Sequence, residues 1–197
     1  MTEEPFIRLG SVDAFYIVVN QIKEHYLAAT NLLAGDLDRP GFRFWMVGQV
    51  LDACSKTIEN AIDRLRRERR IVQRKKESLP EFRMRVCREA GLEIGKKAHS
   101  RLEDLRKHWN AHKHSGDGKE WKEYTNLRTT SFTIDSFHFT TAFLAACYRL
   151  FSNPEQPDWL RQAEILDGEI VPSPLSAAEL DQLLTAWEIT ISINANQ

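Results

Sequence analysis

The sequence predicts an all-α protein, a four-helix up-and-down bundle followed by a small C-terminal appendage. Apolar residues recur at three- and four-residue steps through several long segments, as they do on the buried face of a helix. Ser78 and Ser176 each open a Ser-x-x-Glu capping box, which signals the start of a helix. Hydrophobic residues make up 42% of the 197 residues, with only 9 Gly and 7 Pro. That composition excludes a mainly disordered or collagen-like chain.

The first two helices are predicted from apolar periodicity on either side of a turn. One spans residues 12–34, and the other runs from about residue 42 into the arginines that begin at Arg64. The turn between them lies at residues 38–41, which include a Pro-Gly pair. Because the first half of the second helix is apolar almost all round, we expect it to be central to the core.

The third predicted segment begins at Leu79 and continues to Trp109. Gly91 and Gly95 weaken its middle, because glycine disfavours a helix interior, and we expect a kink or a break near Gly91. The apolar pattern stops at residues 114–118, where glycines begin a loop.

The remainder of the chain holds one more core helix and the appendage. A polar stretch over residues 119–130 leads to a helix predicted at 135–151. Residues 152–197 are acidic and form the predicted appendage. Within it, a short helix is expected from Ser176 to about residue 187, and residues 188–193 alternate as a strand does.

Several classes of protein are excluded by what the sequence lacks. It has no run of about 18 apolar residues, so we expect no membrane partner. Its first residues do not resemble a signal peptide. Three separated cysteines (Cys54, Cys87 and Cys147) argue against a disulfide framework and against a cysteine zinc site. A cytoplasmic, reduced protein is therefore expected.

The formal net charge of −1 conceals a strong asymmetry along the chain. Residues 64–122 hold 19 Lys or Arg and 9 Asp or Glu, a net charge of +10, whereas the rest of the chain carries −11. Such a basic region attracts phosphate-rich partners, although it is also consistent with a solvated helix end. The candidate nucleic-acid contacts in its densest part are Arg66, Arg67, Arg70, Arg74 and Lys75.

A histidine-rich stretch at the end of the third segment could carry chemistry in one of three ways. A metal site is the first, because His108 and His112 lie four residues apart on one helix face. A zinc-protease helix needs glutamate after the first histidine, however, and Trp109 stands there. We therefore predict no metal and no cofactor.

The second interpretation is a purely structural role. Trp109 would be a core residue, and histidines near a helix C-terminus interact favourably with the helix dipole.

The third interpretation begins from Arg106 and His112, which end a helix that leads into a loop. A histidine of near-neutral pKa can take a proton from a ribose 2′-hydroxyl. An arginine can stabilise the charge that develops on the phosphate. Together they are a minimal metal-free device for cleaving RNA.

The stretch Leu-Arg-Lys-His-Trp-Asn-Ala-His, residues 105–112, resembles the Arg–His motif of the HEPN superfamily of α-helical ribonucleases and nucleic-acid binders. Its local form is similar to that of the abortive-infection, AbiU-like branch. The resemblance covers residues 10–151 and includes the aromatic-rich second helix. Residues 152–197 lie outside it.

The resemblance implies roles for individual residues. Arg106 and His112 would be the catalytic pair, and Asn110 would orient the site. The family usually has a short polar residue after the arginine, where this chain has Lys107. Lys107 and His108 would be auxiliary nucleic-acid contacts.

The resemblance also implies a function and partners. The implied function is that of a metal-independent endoribonuclease in phage defence or a toxin–antitoxin system. The implied partners are RNA, a second copy of the chain in a homodimer, and an antitoxin or regulatory protein. Two alternatives stay open on the residues alone. One is a non-catalytic bundle that binds RNA or a protein through its basic face. The other is a scaffold whose acidic and basic halves pair in an oligomer.

Overall fold

Helices form most of the chain, as predicted. The computed structural model describes residues 11–35, 40–113, 128–151 and 155–192. In these ranges the helices are α1 (Ser11–Leu33), α2 (Pro40–Glu68), α3 (Leu79–Glu89), α4 (Lys96–Lys113), α5 (Thr130–Leu150) and α6 (Ala177–Ala186). The strands are β1 (Leu92–Ile94), β2 (Arg161–Leu166), β3 (Glu169–Pro174) and β4 (Ile189–Ile191).

The centre of the fold is α2, which packs against α1, α3, α4 and α5. On its inward side Leu51, Cys54 and Leu65 have no exposed surface. The facing helix α5 supplies fully buried aromatic rings, among them Phe139 and Phe143. Burial of each such side chain stabilises the fold by about 1.5–3 kcal/mol. The apolar periodicity of the sequence therefore predicted both of these core helices, although not both of their starts.

The first turns of α2 depart from the prediction that its whole first half is central to the core. Phe42, Phe44 and Trp45 are 47%, 39% and 52% exposed, and continuous burial begins only at Met46. These three residues precede the length of α2 that its neighbours cover. Apolar character all round a helix therefore did not mean burial all round it.

The third predicted segment is two helices separated by a strand. The capping box at Ser78 is present, with both reciprocal bonds between Ser78 and Glu81, and α3 begins at the next residue. The expected break near Gly91 is confirmed, because α3 ends before this glycine and α4 begins after it. The strand β1 between them was not predicted.

The helix α5 begins five residues earlier than the sequence pattern suggested. Thr129 caps it, since its side chain accepts a hydrogen bond from the backbone N–H of Phe132. The threonine cap extends the helix through polar residues that the apolar periodicity did not include. The predicted stop at 114–118 and most of the polar link lie outside the described residues.

The C-terminal part contains a β-hairpin that was not predicted. Strands β2 and β3 pair antiparallel through a turn at Asp167 and Gly168, which have φ of 52° and 85°. Two successive positive φ values with the sequence Asp-Gly are typical of a type I′ turn, whose twist suits a hairpin. The dipeptide was thus a usable signal in the sequence.

The other C-terminal elements were predicted, and their buried side chains join the same core as those of α2 and α5. The capping box at Ser176 starts α6. The expected strand forms as β4, which pairs antiparallel with β1. Trp187 meets the ring of Phe139 edge-on at 5.1 Å between centroids. Five large side chains of this part are buried: Leu160, Leu180, Leu184, Trp187 and Ile189.

Two further properties concern the described residues as a whole. None of their helices has both the length and the apolar character needed to cross a membrane.

The three cysteines are unpaired and buried, and burial raises the pKa of the Cys54 and Cys87 thiols to about 12.

Replacing Gly91 by alanine is expected to lower the free energy of unfolding by about 2–4 kcal/mol. Gly91 has φ of +92°, and a Cβ there would lie 2.6 Å from the carbonyl oxygen of Ser192. That contact would also strain the 2.8 Å hydrogen bond from Ser192 to Gly91.

The matched control for Gly91 is Gly168→Ala, because Gly168 has a similar φ of +85° but no atom within 4 Å of its Cβ position. It should cost about 1 kcal/mol from backbone strain alone. Urea denaturation measures both variants. Equal losses would show that the close approach of the β4 end is not what requires glycine.

Candidate functional site

A buried carboxylate, that of Asp52 in α2, faces two histidines of α4. The Nδ1 of His112 makes a hydrogen bond with Asp52 Oδ2. The Nδ1 of His108 lies 3.2 Å from Asp52 Oδ1. The Asp52 side chain is 10% exposed and the His108 side chain 1%. Because the histidines are four residues apart on one helix face, a single carboxylate reaches both.

Arg128, which lies just before α5, completes the cluster. Its Nε donates a hydrogen bond of 3.1 Å to His108 Nε2. Burial lowers the pKa of Arg128, and the charge of Asp52 opposes that effect. A Cβ on Gly48 would lie 2.7 Å from the guanidinium carbon, so the glycine makes room for Arg128 beside α2. We call Asp52, His108, His112 and Arg128 the Asp52 cluster.

The hydrogen bonds assign the proton of each neutral imidazole. His108 accepts from Arg128 at Nε2, so its own proton is on Nδ1, facing Asp52. Asp52 Oδ1 and His108 Nδ1 lie 3.2 Å apart but are not aligned for a hydrogen bond. Neither atom has a hydrogen-bond partner among the described residues. An unsatisfied pair of buried polar atoms is costly and is more common at functional sites.

His112 is the member of the cluster that combines a fixed orientation with exposure. Its Nδ1–H points to the Asp52 carboxylate, which leaves the lone pair of the neutral ring on Nε2. The side chain is 37% exposed. A carboxylate that holds an imidazole in one tautomer and stabilises its protonated form produces a competent proton acceptor.

Arg106, the other predicted catalytic residue, leaves α4 on a different side. Six residues along a helix correspond to a rotation that puts Arg106 and His112 about 120° apart and about 9 Å apart along the axis. The guanidinium of Arg106 makes an ion pair of 2.8 Å with Glu103. Asn110 is one turn beyond Arg106, on the same side. Arg106 is therefore paired with Glu103 on one side of α4, and His112 with Asp52 on another.

The two predicted auxiliary contacts on α4 differ in exposure. Lys107 is exposed, whereas His108 is buried inside the Asp52 cluster. Trp109, a core residue in the structural interpretation, is only partly buried, and the ammonium of Lys56 lies 4.6 Å from its ring centroid. His114 lies outside the described residues.

The arginines at the end of α2 are extensively paired. Arg66 and Arg67 both make ion pairs of 2.7 Å with Asp63. Arg64 is buried, with its guanidinium carbon 3.7 Å from the ring centroid of Phe151. Fourteen residues separate Asp52 from Arg66, which is about 21 Å along the helix. The predicted contacts Arg66 and Arg67 are thus well separated from the Asp52 cluster.

The remaining predicted basic contacts lie in the loop between α2 and α3. Arg70, Arg74 and Lys75 are exposed there. The loop is held by Glu77, whose carboxylate pairs with Arg85 at 2.7 Å. Hydrogen bonds from Arg85 lower the pKa of Glu77 to about 2. Arg74 and Lys75 line an open groove between this loop, α3 and β1, away from the Asp52 cluster.

Two members of the Asp52 cluster were missed in the sequence analysis. Asp52 is the only charged residue between Arg43 and Lys56, inside an otherwise apolar stretch. A charge at a buried helix position requires a partner, so this residue carried a usable signal. Arg128 carried none, because its contact with His108 depends on how α4 and α5 approach each other.

The fold and the site define a mainly helical protein with a carboxylate–imidazole–guanidinium cluster between α2, α4 and the start of α5. Within the described ranges, no group of three His, Cys, Asp or Glu side chains is arranged to hold a metal ion. Comparisons with protein-family models, characterised proteins and solved structures found no match to this chain.

Proposed function

We propose that the protein is a metal-independent endoribonuclease of HEPN type, built on a four-helix up-and-down bundle. It would act in the cytoplasm, in phage defence or as the toxin of a toxin–antitoxin pair under the control of an antitoxin. The observation that carries the proposal is the hydrogen bond between Asp52 and the partly exposed His112.

In this proposal His112 is the general base of the cleavage step. Its Nε2 takes the proton of a ribose 2′-hydroxyl, and the 2′-oxygen attacks the adjacent phosphorus. The bond between phosphorus and the 5′-oxygen breaks, the 5′-oxygen takes a proton from solvent water, and the upstream fragment ends in a 2′,3′-cyclic phosphate. Asp52 is the positioning residue, since it orients the imidazole and stabilises its protonated form.

In this proposal two arginines stabilise the charge on the phosphate. Arg128 already lies in the Asp52 cluster. Arg106 has the role that the Arg–His motif implies, and the proposal includes a homodimer in which two such motifs face one cleft. The different directions in which Arg106 and His112 leave α4 favour a contribution from a second protomer.

A non-catalytic bundle that binds RNA or protein is the second candidate function. The ion pair between Arg106 and Glu103 favours it, because it offsets the charge that a phosphate would bind. The open groove lined by Arg74 and Lys75 is separate from the Asp52 cluster, which also favours binding without cleavage. This candidate predicts salt-sensitive binding without cleavage.

Incubation of a mixed RNA pool with the protein in EDTA tests the proposal. The wild type should produce fragments with 2′,3′-cyclic phosphate ends, and Arg106→Ala should reduce the rate by about 10²–10³-fold. Arg149→Ala is the matched control, because Arg149 also makes an ion pair of 2.8 Å with an acidic residue but lies on α5. Binding of RNA without cleavage by the wild type would favour the second candidate instead.

A further inference from the structure

Three exposed aromatic side chains stand in the first turns of α2, and we call them the aromatic shelf: Phe42, Phe44 and Trp45. Phe42 and Trp45 are three residues apart on one side of the helix, whereas Phe44 lies about 100° round from Trp45, next to Arg128. The rings of Phe42 and Trp45 are stacked, with centroids 5.8 Å apart and planes inclined by 25°. Exposed aromatic rings that stack on each other present flat apolar faces on which a ligand with aromatic rings can pack.

The aromatic shelf is continuous with the Asp52 cluster. The guanidinium carbon of Arg128 lies 4.6 Å from the ring centroid of Phe44, while its Nε donates to His108. Trp45 and Asp52 are seven residues apart, so they lie on the same face of α2, about 10 Å apart along its axis. A ligand on the shelf would therefore extend towards His112.

Two arginines next to the shelf are fixed in position. Arg43 donates a hydrogen bond to the Thr130 hydroxyl at the start of α5. Arg128 is packed against Gly48 and bonded to His108. The shelf thus combines flat apolar faces with two guanidinium groups, which suits a ligand that has both aromatic rings and negative charge.

The area of the shelf favours a small flat ligand over a second protein chain. The stacked pair of Phe42 and Trp45, each about half exposed, offers on the order of 200 Å². A stable protein–protein interface buries about 800 Å² on each partner. Nucleobases, by contrast, stack on single aromatic side chains while arginines contact the neighbouring phosphates.

We propose that the aromatic shelf binds the unpaired bases of single-stranded RNA, with Arg43 and Arg128 contacting adjacent phosphates. The inference deepens the proposed function, on which it rests for the identity of the nucleic acid. It places the RNA strand along α2 from Trp45 towards His112. Base stacking supplies the affinity there, and the enzyme selects single strands because paired bases are not accessible to the shelf.

Fluorescence anisotropy with a labelled 2′-O-methyl RNA oligomer tests the shelf. This probe has no 2′-hydroxyl and cannot be cleaved by the proposed mechanism. Trp45→Ala should weaken its binding by about 5- to 140-fold, the range found for loss of one base-stacking contact. Binding of an abasic oligomer of the same length should be weaker and unaffected by the substitution. Trp45→Phe should retain most of the affinity.

Tyr16→Ala is the matched control, because Tyr16 is 60% exposed on α1. It should leave binding of both oligomers unchanged. Circular dichroism checks the fold of each variant, and Phe42→Ala provides a second test of the shelf.

The possible outcomes separate the shelf from the proposed function. Equal affinity of wild type and Trp45→Ala for the base-bearing oligomer overturns the shelf, even if RNA is cleaved. Base-dependent binding that requires Trp45, without cleavage, supports the shelf and overturns the ribonuclease. A fall in particle mass on Trp45→Ala, measured by sedimentation, with unchanged RNA binding would identify a second copy as the occupant instead.

Discussion

Replacing His112 by alanine is expected to lower the rate of RNA cleavage by about 10²–10⁴-fold, the usual contribution of a general base. The loss should appear in EDTA as well as in buffer with divalent cations, because the proposed step uses no metal. His112→Ala also removes the hydrogen-bond partner of the buried Asp52 Oδ2, so the melting temperature should fall, and the rates are compared at a temperature at which both proteins are folded.

Asp52→Asn extends the same experiment to the positioning residue. The asparagine amide has the shape of the carboxylate but no negative charge, so it cannot stabilise a protonated His112. Its NH2 group is also a donor, and it could face the Nδ1–H of His112, which then has no acceptor. We expect kcat to fall while KM stays close to the wild-type value. A structural role alone would lower stability without separating kcat from KM.

The control for the His112 variant is His99→Ala, which removes an exposed imidazole from the same helix. Initial rates on a fluorogenic RNA, measured beside thermal unfolding, compare the variants. If the wild type, His112→Ala and His99→Ala all cleaved RNA at the same rate, His112 would not be the general base.

Truncation of the chain after Asn153 is expected to abolish cooperative folding. The removed part includes five large buried side chains, from Leu160 to Ile189, and the strand partner of β1. At about 1.5–3 kcal/mol for each side chain, their burial contributes on the order of 10 kcal/mol. That figure is as large as the whole stability of a typical domain, about 5–15 kcal/mol.

Urea denaturation followed by circular dichroism measures this effect. Trp187→Ala removes one contact of the same set, the edge-on packing against Phe139, and should cost about 3–5 kcal/mol. Leu166→Ala is the control from the same part of the chain, since Leu166 is 51% exposed and its loss should be nearly neutral. A truncated chain that unfolds cooperatively near the wild-type midpoint would contradict the prediction.

The helices were largely predictable because their signals are local. The apolar face of α2, the capping boxes at Ser78 and Ser176 and the break at Gly91 each depend on neighbouring residues along the chain. The start of α5 was predicted too late because Thr129 caps a polar first turn that the apolar pattern does not include. Local signals also existed for features that were missed, such as the Asp-Gly turn of the hairpin.

The candidate site was predictable only in part. His112 was identified from its own segment, but its partner Asp52 is 60 residues away. Arg106 and His112 are close in sequence, and the helix nevertheless directs them to different sides. The arginines of the basic block form local ion pairs, as Arg66 and Arg67 do with Asp63, which a count of charges does not show.

By itself, the sequence determined the mainly helical class, the caps, the break at Gly91 and the position of His112 on a helix. These properties follow from side-chain periodicity and from hydrogen bonds within a few residues. The tertiary structure decided that β4 pairs with β1, that Asp52 faces two histidines and that the aromatic shelf stays exposed. Those outcomes depend on which helix faces meet, and that is set by the packing of the whole chain.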